Sequence, residues 1–320
     1  MLEKFYLRRP MIEDKQTVLD LMLRCDIRDV GQPDSDMADL NYDWSQMDLG
    51  QDAWIALDGK GALRGYGAVL PWSCGRRLAI YDDPGTEHDD LFLGLLLLCE
   101  GRATRQLADL QDESKRMLIT HVADAIDYQN KTLSDAGYAI RRHIFNMHID
   151  LDQDIHEPRW PEGVTLRNAQ TGIDDEHIHA VIQKAFEKPD HPEQTFDEWQ
   201  EFMMRADLYQ SDLWFLAVSG DEIVGTCLCF PYENMGWVRQ LAVRQDFRQR
   251  GLGSALLLQA FRAFRQLDYD KVGLAVESHN EHACRLYERV GMRQVIHLNE
   301  YGKDSFSQVN GSVPLTSCSL

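Results

Sequence analysis

The run Arg248-Gln249-Arg250-Gly251-Leu252-Gly253 has the composition of an anion cradle. Before it, Leu241-Ala242-Val243 reads as the end of a buried strand, and after it the apolar stretch Ala255 to Phe264 reads as a helix. The six residues therefore sit where a helix begins, with unpaired backbone N–H groups and the positive end of the helix dipole. Gly251 and Gly253 lack a Cβ, so the backbone can approach a pyrophosphate, and Arg248 and Arg250 add positive charge at the same place. Two other cradles are excluded. A P-loop needs Gly-Lys followed by Ser or Thr, whereas Gly59-Lys60 is followed by Gly61. A dinucleotide turn needs a third glycine, and position 256 is Leu.

A second cluster follows. Val272 to Val276 reads as a strand, Glu281 to Arg289 as a helix, and Gly291 as the left-handed residue that ends it. Asn280, Ala283, Leu286, Tyr287, Gly291 and Met292 recur there at fixed spacing. The two clusters, R-x-x-G-x-G after a strand ending L-A-V and N-x-x-A-x-x-L-Y-x-x-x-G-[FM] after a second strand, resemble the signatures of the GCN5-related N-acetyltransferases (GNAT), in that family's order and at about its separation. The resemblance implies an α/β fold, a mixed and mostly antiparallel sheet flanked by helices, with acetyl-CoA as co-substrate and no metal.

It also implies roles. Acetyl transfer needs an oxyanion donor and a proton for the departing thiolate. In the family, two parallel strands splay apart and the pantetheine arm lies in the gap. That maps onto Leu241, Ala242 and Val243, with the Val243 N–H as oxyanion donor, and Tyr287 as general acid. Arg248, Gln249, Arg250, Gly251, Leu252, Gly253 and Ser254 would hold the pyrophosphate, and Ala283 would border the cofactor. Asn280 would hold the pantetheine or orient its helix. The general base departs from the best-known members, which place Glu or His six or four residues before the strand-ending Val; here those positions are Trp237 and Arg239. Glu233, Glu277 or a water relay remain, and Arg239 is either a partner for a substrate carboxylate or a surface or CoA-side charge.

Both clusters lie in the second half of 320 residues, and the first half repeats the second. The segment from Arg77 aligns with that from Gln240, placing Leu78 opposite Leu241. The segment from Met117 aligns with the second cluster, placing Gly137 opposite Gly291. Trp54 onward matches Phe215 onward, each a hairpin, and Phe5-Tyr6-Leu7-Arg8-Arg9 matches Val164-Thr165-Leu166-Arg167-Asn168. The expected layout is a degenerate GNAT-like domain over 1–151, a Pro-containing linker over 152–163, a catalytic domain over 164–303 and a loose tail over 304–320. The copies differ where it matters. Opposite Arg248, Arg250, Gly251 and Gly253 stand Gly85, Glu87, His88 and Asp90, and opposite Tyr287 stands Leu133. The acidic loop Asp82 to Asp90 would repel a pyrophosphate, so the second copy alone is expected to bind CoA. Its carboxylates read as a solvated helix start rather than a metal or cation site. This layout resembles the mycothiol synthase group.

Composition adds bounds. A formal net charge of −19 disfavours nucleic acid and anionic membranes and suits a cationic amine acceptor. Seven scattered cysteines without a C-x-x-C pair, no apolar leader in Met1-Leu2-Glu3-Lys4-Phe5, and a longest apolar run of only Leu91 to Cys99 suit a cytoplasmic protein. The oligomeric state is left open, with tandem copies able to act as a pseudo-dimer. The leading expectation is transfer of acetyl to a small-molecule amine; a non-catalytic acyl-CoA-binding regulator is the alternative.

Overall fold

The computed structural model describes residues 2, 4–86, 89–108, 116–187, 194–204 and 208–305. Glu87 and His88 of the acidic loop, and the tail beyond residue 305, lie outside the described residues. In chain order the elements of the first half are β1 (Tyr6–Arg8), α1 (Lys15–Val30), α2 (Met37–Ser45), α3 (Leu49–Asp52), β2 (Ala53–Leu57), β3 (Leu63–Trp72), β4 (Gly75–Asp82), α4 (Asp89–Leu107), β5 (Met117–Ala123), α5 (Asp127–Asp135) and β6 (Ala139–Asp150). Then come β7 (Thr165–Asn168), α6 (Asp175–Phe186), α7 (Phe196–Met203), β8 (Trp214–Ser219), β9 (Glu222–Pro231), β10 (Gly236–Val243), α8 (Leu252–Gln266), β11 (Lys271–Glu277), α9 (Glu281–Arg289) and β12 (Arg293–Asp304). The repeat is real at the level of elements, and the fold is α/β.

The chain forms two compact units, one of residues up to Ile144 with those from Ile296 onward, the other Phe145–Val295. In the first unit the strand order is β1-β2-β3-β4-β5-β12, with β4 and β5 parallel and the remaining pairs antiparallel. In the second it is β6-β11-β10-β9-β8-β7, with β10 and β11 parallel and β7 to β10 antiparallel. The units do not follow the sequence copies. β12, which follows the second copy's last helix, completes the first unit, pairing from Leu298↔Ala123 to Asp304↔Met117. The second unit begins inside β6, where the Leu151 N–H bonds the Asp270 carbonyl at 2.8 Å and Arg293 pairs with Asp150 at 2.6 Å.

In each unit the strands are covered on both faces. In the second unit α8 buries Leu252, Ala255, Leu256, Leu257, Ala260, Phe261 and Phe264, an i, i+3, i+4 stripe, against Val272, Leu274 and Val276 of β11. The opposite face carries α6 and α7, whose Ile178, Ile182, Trp199 and Met203 pack with Trp214, Leu228, Phe230 and Ala242. Covered on both sides, β9 is buried from Ile223 to Phe230, which is why it reads as a continuous apolar run. Fully burying each large apolar side chain contributes about 1.5–3 kcal/mol. In the first unit Glu300, fully buried, takes Arg142 Nε at 3.0 Å and Nη2 at 2.7 Å, with His121 Nε2 at 3.3 Å. Among the described residues no helix is long and apolar enough to cross a membrane.

Candidate active site

The site starts from a fork. β10 and β11 pair only at Gly236↔Val272 and Trp237↔Gly273 and then part. On the other edge of β10, the Arg244 N–H bonds the Val224 carbonyl of β9 at 2.9 Å. Backbone groups of successive strand residues face opposite edges, so Ala242 and Arg244 face β9 while Leu241 and Val243 turn theirs into the gap. The Val243 carbonyl accepts from Arg248 Nε at 3.0 Å. The Leu241 and Val243 N–H groups line the fork, an unfilled strand edge in the middle of a sheet.

The cradle follows β10 directly. Gln249 (φ 62) and Gly251 (φ 83) are both left-handed, and Gly251 caps the start of α8. Left-handed residues alternating with others turn successive N–H groups toward one point. A Cβ at Gly251 would meet nothing within 4 Å, so glycine is needed there for its positive φ. Gly253 has a packing reason as well: a Cβ would lie 3.1 Å from Leu286 on α9. The Ala255 N–H closes the first helical bond on the Gly251 carbonyl, so the N–H groups of Leu252, Gly253 and Ser254 point off the helix end. The arginines divide the work. Arg248 bonds the Val243 and Ala185 carbonyls, both at 3.0 Å, tying the end of α6 to the loop. Arg244 is held by Glu222 at 2.8 Å and Asp246 at 2.7 Å. Arg250 is exposed and rests 5.1 Å from the Phe247 ring centroid, the cradle arginine best placed to meet an anion.

Across the fork, the Asn280 side chain accepts the Ala283 N–H at 3.2 Å, capping α9. Gly291 has φ 96 and ends α9 as expected. Tyr287 is 8% exposed within the core under α8. Burial, with the nearby Cys227 and Cys284 thiols, pushes its phenol well above the ordinary value, so it keeps its proton at any physiological pH. Cys227 and Cys229 face the same core, with sulfurs 3.8 Å apart.

The candidate bases separate. Glu233 is exposed in the turn before β10 begins, at the paired end of the fork. Glu277 is half-buried at the end of β11, on the open side, with His279 Nε2 3.1 Å from its carboxylate. Sequence reasoning missed the bulge at Arg239 and two neighbours, His148 and Gly273. β10 is bulged between Val238 and Gln240, which makes Arg239 the extra residue. His148, reaching the second unit on β6, stands edge-on to Trp237 with centroids 6.3 Å apart. Gly273 separates them, since a Cβ would lie 2.6 Å from the Trp237 ring and 2.9 Å from that of His148. Burial, then the charges of Lys271 and Arg293, lower the His148 pKa to about 4 and keep the ring neutral.

The corresponding parts of the first unit are filled by its own side chains. β4 and β5 also pair over three residues and part, but the Leu78 carbonyl, the counterpart of Leu241, takes the Thr120 hydroxyl at 2.9 Å. At the end of β4, Asp82 is buried and bonded by Tyr128, by Gln129 at 2.8 Å and by Arg28 at 3.3 Å. Asp83 is paired with Arg24 at 2.9 Å and Arg64 at 3.2 Å, and Leu133, opposite Tyr287, is fully buried.

The acetyltransferase (GNAT) family profile matches residues 176–292, which span α6 to the end of α9. Residues 176–292 belong to the GNAT acetyltransferase family. A mycothiol acetyltransferase of Saccharomonospora viridis is 33% identical over 156 residues, covering 45% of this chain and 50% of that protein. One from Salinispora tropica is 32% identical over 179 residues, covering 52% of this chain and 56% of that one. The chain thus spans about half the length of the curated relatives it matches. Over nearly the full length, a GCN5-related N-acetyltransferase from Sphaerobacter thermophilus superposes with a TM-score of 0.83 at 27% identity, covering 98% of this chain and 99% of that one. A tandem GNAT protein from the clavulanic acid biosynthesis pathway shares the fold at a TM-score of 0.73 and 14% identity, covering 95% and 99%. The tandem GNAT fold read from the repeat is the observed one.

Proposed function

We propose that the second unit is an N-acetyltransferase that moves an acetyl group from acetyl-CoA to the primary amine of a small molecule by direct attack. The observation that carries this reading is the coincidence, in one unit, of inward-facing N–H groups at a strand fork, a left-handed turn at the start of α8 and a tyrosine buried with its proton in the core beside that helix. Attack by the amine places negative charge on the thioester oxygen, and the Val243 N–H faces the gap where that oxygen would lie. The departing sulfur needs a proton, and Tyr287 holds one. The N–H groups of Leu252, Gly253 and Ser254, with Gln249, Gly251 and Arg250 shaping the turn, would take the pyrophosphate. Glu277, on the open side of the fork, is the better placed of the two carboxylates to accept the amine proton, directly or through water.

We read the first copy as a degenerate domain that binds no CoA in this mode. Thr120 occupies the backbone acceptor, Asp82 and its partners occupy the strand end, and Leu133 stands where the proton donor would be. The test is thiol release from acetyl-CoA over a broad panel of amines. Amine-dependent release supports the reading. Tight CoA binding with no release for any amine would leave a non-catalytic acyl-CoA binder.

A further inference from the structure

We propose that the first unit holds a phosphate group among Arg9, Arg76 and Arg102; the proposal does not depend on the transferase reading of the second unit. The three arginines come from three elements: the chain after β1, the start of β4 and the later turns of α4. All are anchored around residues 52–54. Arg9 Nη1 donates to the Ala53 carbonyl at 2.7 Å, and its guanidinium lies over the Trp54 ring, 4.0 Å from the centroid. Arg102 Nε donates to Asp52 Oδ1 at 2.7 Å. Arg76 Nε donates to Gln106 Oε1 at 2.7 Å, and the same amide donates from Nε2 to Asp52 Oδ1 at 2.9 Å. One amide and one carboxylate therefore link Arg76 to Arg102.

The first reason is charge. Asp52 is buried and both its oxygens are taken, Oδ1 by Arg102 and Gln106, Oδ2 by the Asp48 N–H at 3.0 Å. Asp48, the other carboxylate whose charge reaches Arg9, is exposed and caps α3, with its oxygens on the Gly50 N–H and on Gln51. Three guanidinium groups thus share one ion-paired carboxylate, in a chain whose formal net charge is −19. For Arg9 and Arg76, burial and the charge of Arg102 outweigh the attraction of Asp52 and lower the pKa. A bound anion would relieve that cost. Arg76 Nη1 donates to the Gly75 carbonyl at 2.8 Å. Among the described residues no acceptor meets Arg9 Nε or Nη2, Arg76 Nη2, or either terminal nitrogen of Arg102, so donors remain for a ligand.

The second reason is place. The β3–β4 pairing runs without a shift from Trp72↔Gly75 to Gly65↔Asp82, so Arg76 shares the α4 face with Leu78. Asp82, at the far end of β4 where the cofactor turn of this copy would begin, is about 20 Å further along the strand. The cluster is therefore no remnant of a cradle. Nor does the second copy share it. Opposite Arg9, Asp52 and Gln106 stand Asn168, Leu213 and Tyr269. Arg265, opposite Arg102, bonds the Gln153 carbonyl at 3.2 Å, and Arg239, opposite Arg76, lies over Phe202 on the other face of its sheet. A phosphate suits the cluster better than a carboxylate. Guanidinium edges match the oxygens of both, but these three arrive from three elements, and a tetrahedral dianion presents oxygens in several directions where a carboxylate presents two in one plane.

The test is calorimetry of the full chain carrying Gly251→Asp, which removes the second unit's cradle as a competing anion site, in phosphate-free buffer at fixed ionic strength. The probes are inorganic phosphate, glycerol 2-phosphate and sodium acetate. The expected result is saturable phosphate binding at one site. Arg76→Gln and Arg9→Gln should each weaken it roughly 10–100-fold, the loss of a charge-assisted contact, and Arg76→Lys should recover part of the loss. Tighter binding of glycerol 2-phosphate names a phosphomonoester as the source of the group, tighter binding of inorganic phosphate names the free ion, and either supports the site. No saturable phosphate binding, binding unchanged in both Gln variants, or acetate binding as tightly as phosphate overturns the proposal. Coenzyme A titration of the chain with an intact Gly251 reports on the transferase reading separately and should be unaffected by Arg9→Gln or Arg76→Gln. Circular dichroism of each variant separates a misfolded protein from a specific loss.

Discussion

Replacing Tyr287 by Phe removes one oxygen atom from the core and little else. The ring stays packed among Leu252, Leu256 and Val276, so folding stability should change by no more than about 1 kcal/mol, the ordinary range for one neutral hydrogen-bonding group. Acetyl-CoA affinity should stay within about twofold, because a general acid, the role proposed for this phenol, matters only as the carbon–sulfur bond breaks. Turnover should fall by about 10²–10⁴-fold, the usual yield of a positioned general acid, equivalent to about 2.7–5.4 kcal/mol of barrier at 1.36 kcal/mol per tenfold. The pH profile gives an independent check. Burial, then the two neighbouring thiols, disfavour the phenolate, so the proton is retained to higher pH than in water. kcat of the wild type should accordingly show no alkaline loss from this group at about pH 10, where an ordinary tyrosine would be half ionised. The assay is steady-state thiol release, paired with calorimetric CoA binding on the same preparation. Wild-type kcat in Tyr287→Phe, or a fall in rate matched by an equal fall in CoA affinity, would refute the reasoning.

Other consequences follow from the cradle, the exchanged strands and the buried ion pair. Gly251→Asp combines a strained positive φ with negative charge at the start of α8, and Arg250→Glu reverses the exposed charge. Both should weaken CoA binding at least tenfold while circular dichroism stays native. A chain cut to residues 164–303 lacks Phe145–Asp150, the strand that belongs to the second unit, and should be unfolded or aggregated in a chemical denaturation experiment. A cooperative transition of that fragment would contradict the exchange. Glu300→Gln strands Arg142 without its buried partner and should cost about 3–5 kcal/mol, seen as a lowered urea midpoint. Burial raises the Glu300 carboxyl, but the hydrogen bonds and charges of His121 and Arg142 outweigh it and bring it to about 2. A depressed acid stabilises fully above its unfolded value near 4.3 and loses that contribution as pH falls toward 2, so the wild type should lose stability across that window faster than Glu300→Gln.

The local backbone of the candidate site was far more legible in the sequence than the assignment of strands to units. Cradle, capping asparagine, tyrosine and terminal glycine all depend on local backbone geometry, and local geometry imposes residue types at fixed spacing. Gly251 is left-handed and Gly291 ends α9, as their positions in the pattern require. The crossing of β6 and β12 between units left no such trace. Both are long strands that follow a helix and a glycine, and either could lie beside β5 or β11 by hydrophobic pattern alone. What distinguishes them is long-range: Glu300 on β12 faces Arg142 and His121, a partnership among residues up to 179 positions apart. The bulge at Arg239 was equally silent, because Trp237-Val238-Arg239-Gln240-Leu241-Ala242-Val243, on a strand covered on both faces, holds no regular alternation against which an extra residue would register. His148 was overlooked for the same reason as the exchange, since it reaches the fork on a strand assigned to the other copy.

The central claim is that one chain carries one acetyl-CoA site, built by the fork and cradle of the second unit. Titration calorimetry of the full chain with coenzyme A tests it most directly. The account predicts a single site per chain that Gly251→Asp abolishes and that Thr120→Val, which frees the Leu78 carbonyl in the first unit, leaves at one. Two equivalent sites in the wild type, or one site indifferent to Gly251→Asp in a folded protein, would contradict it.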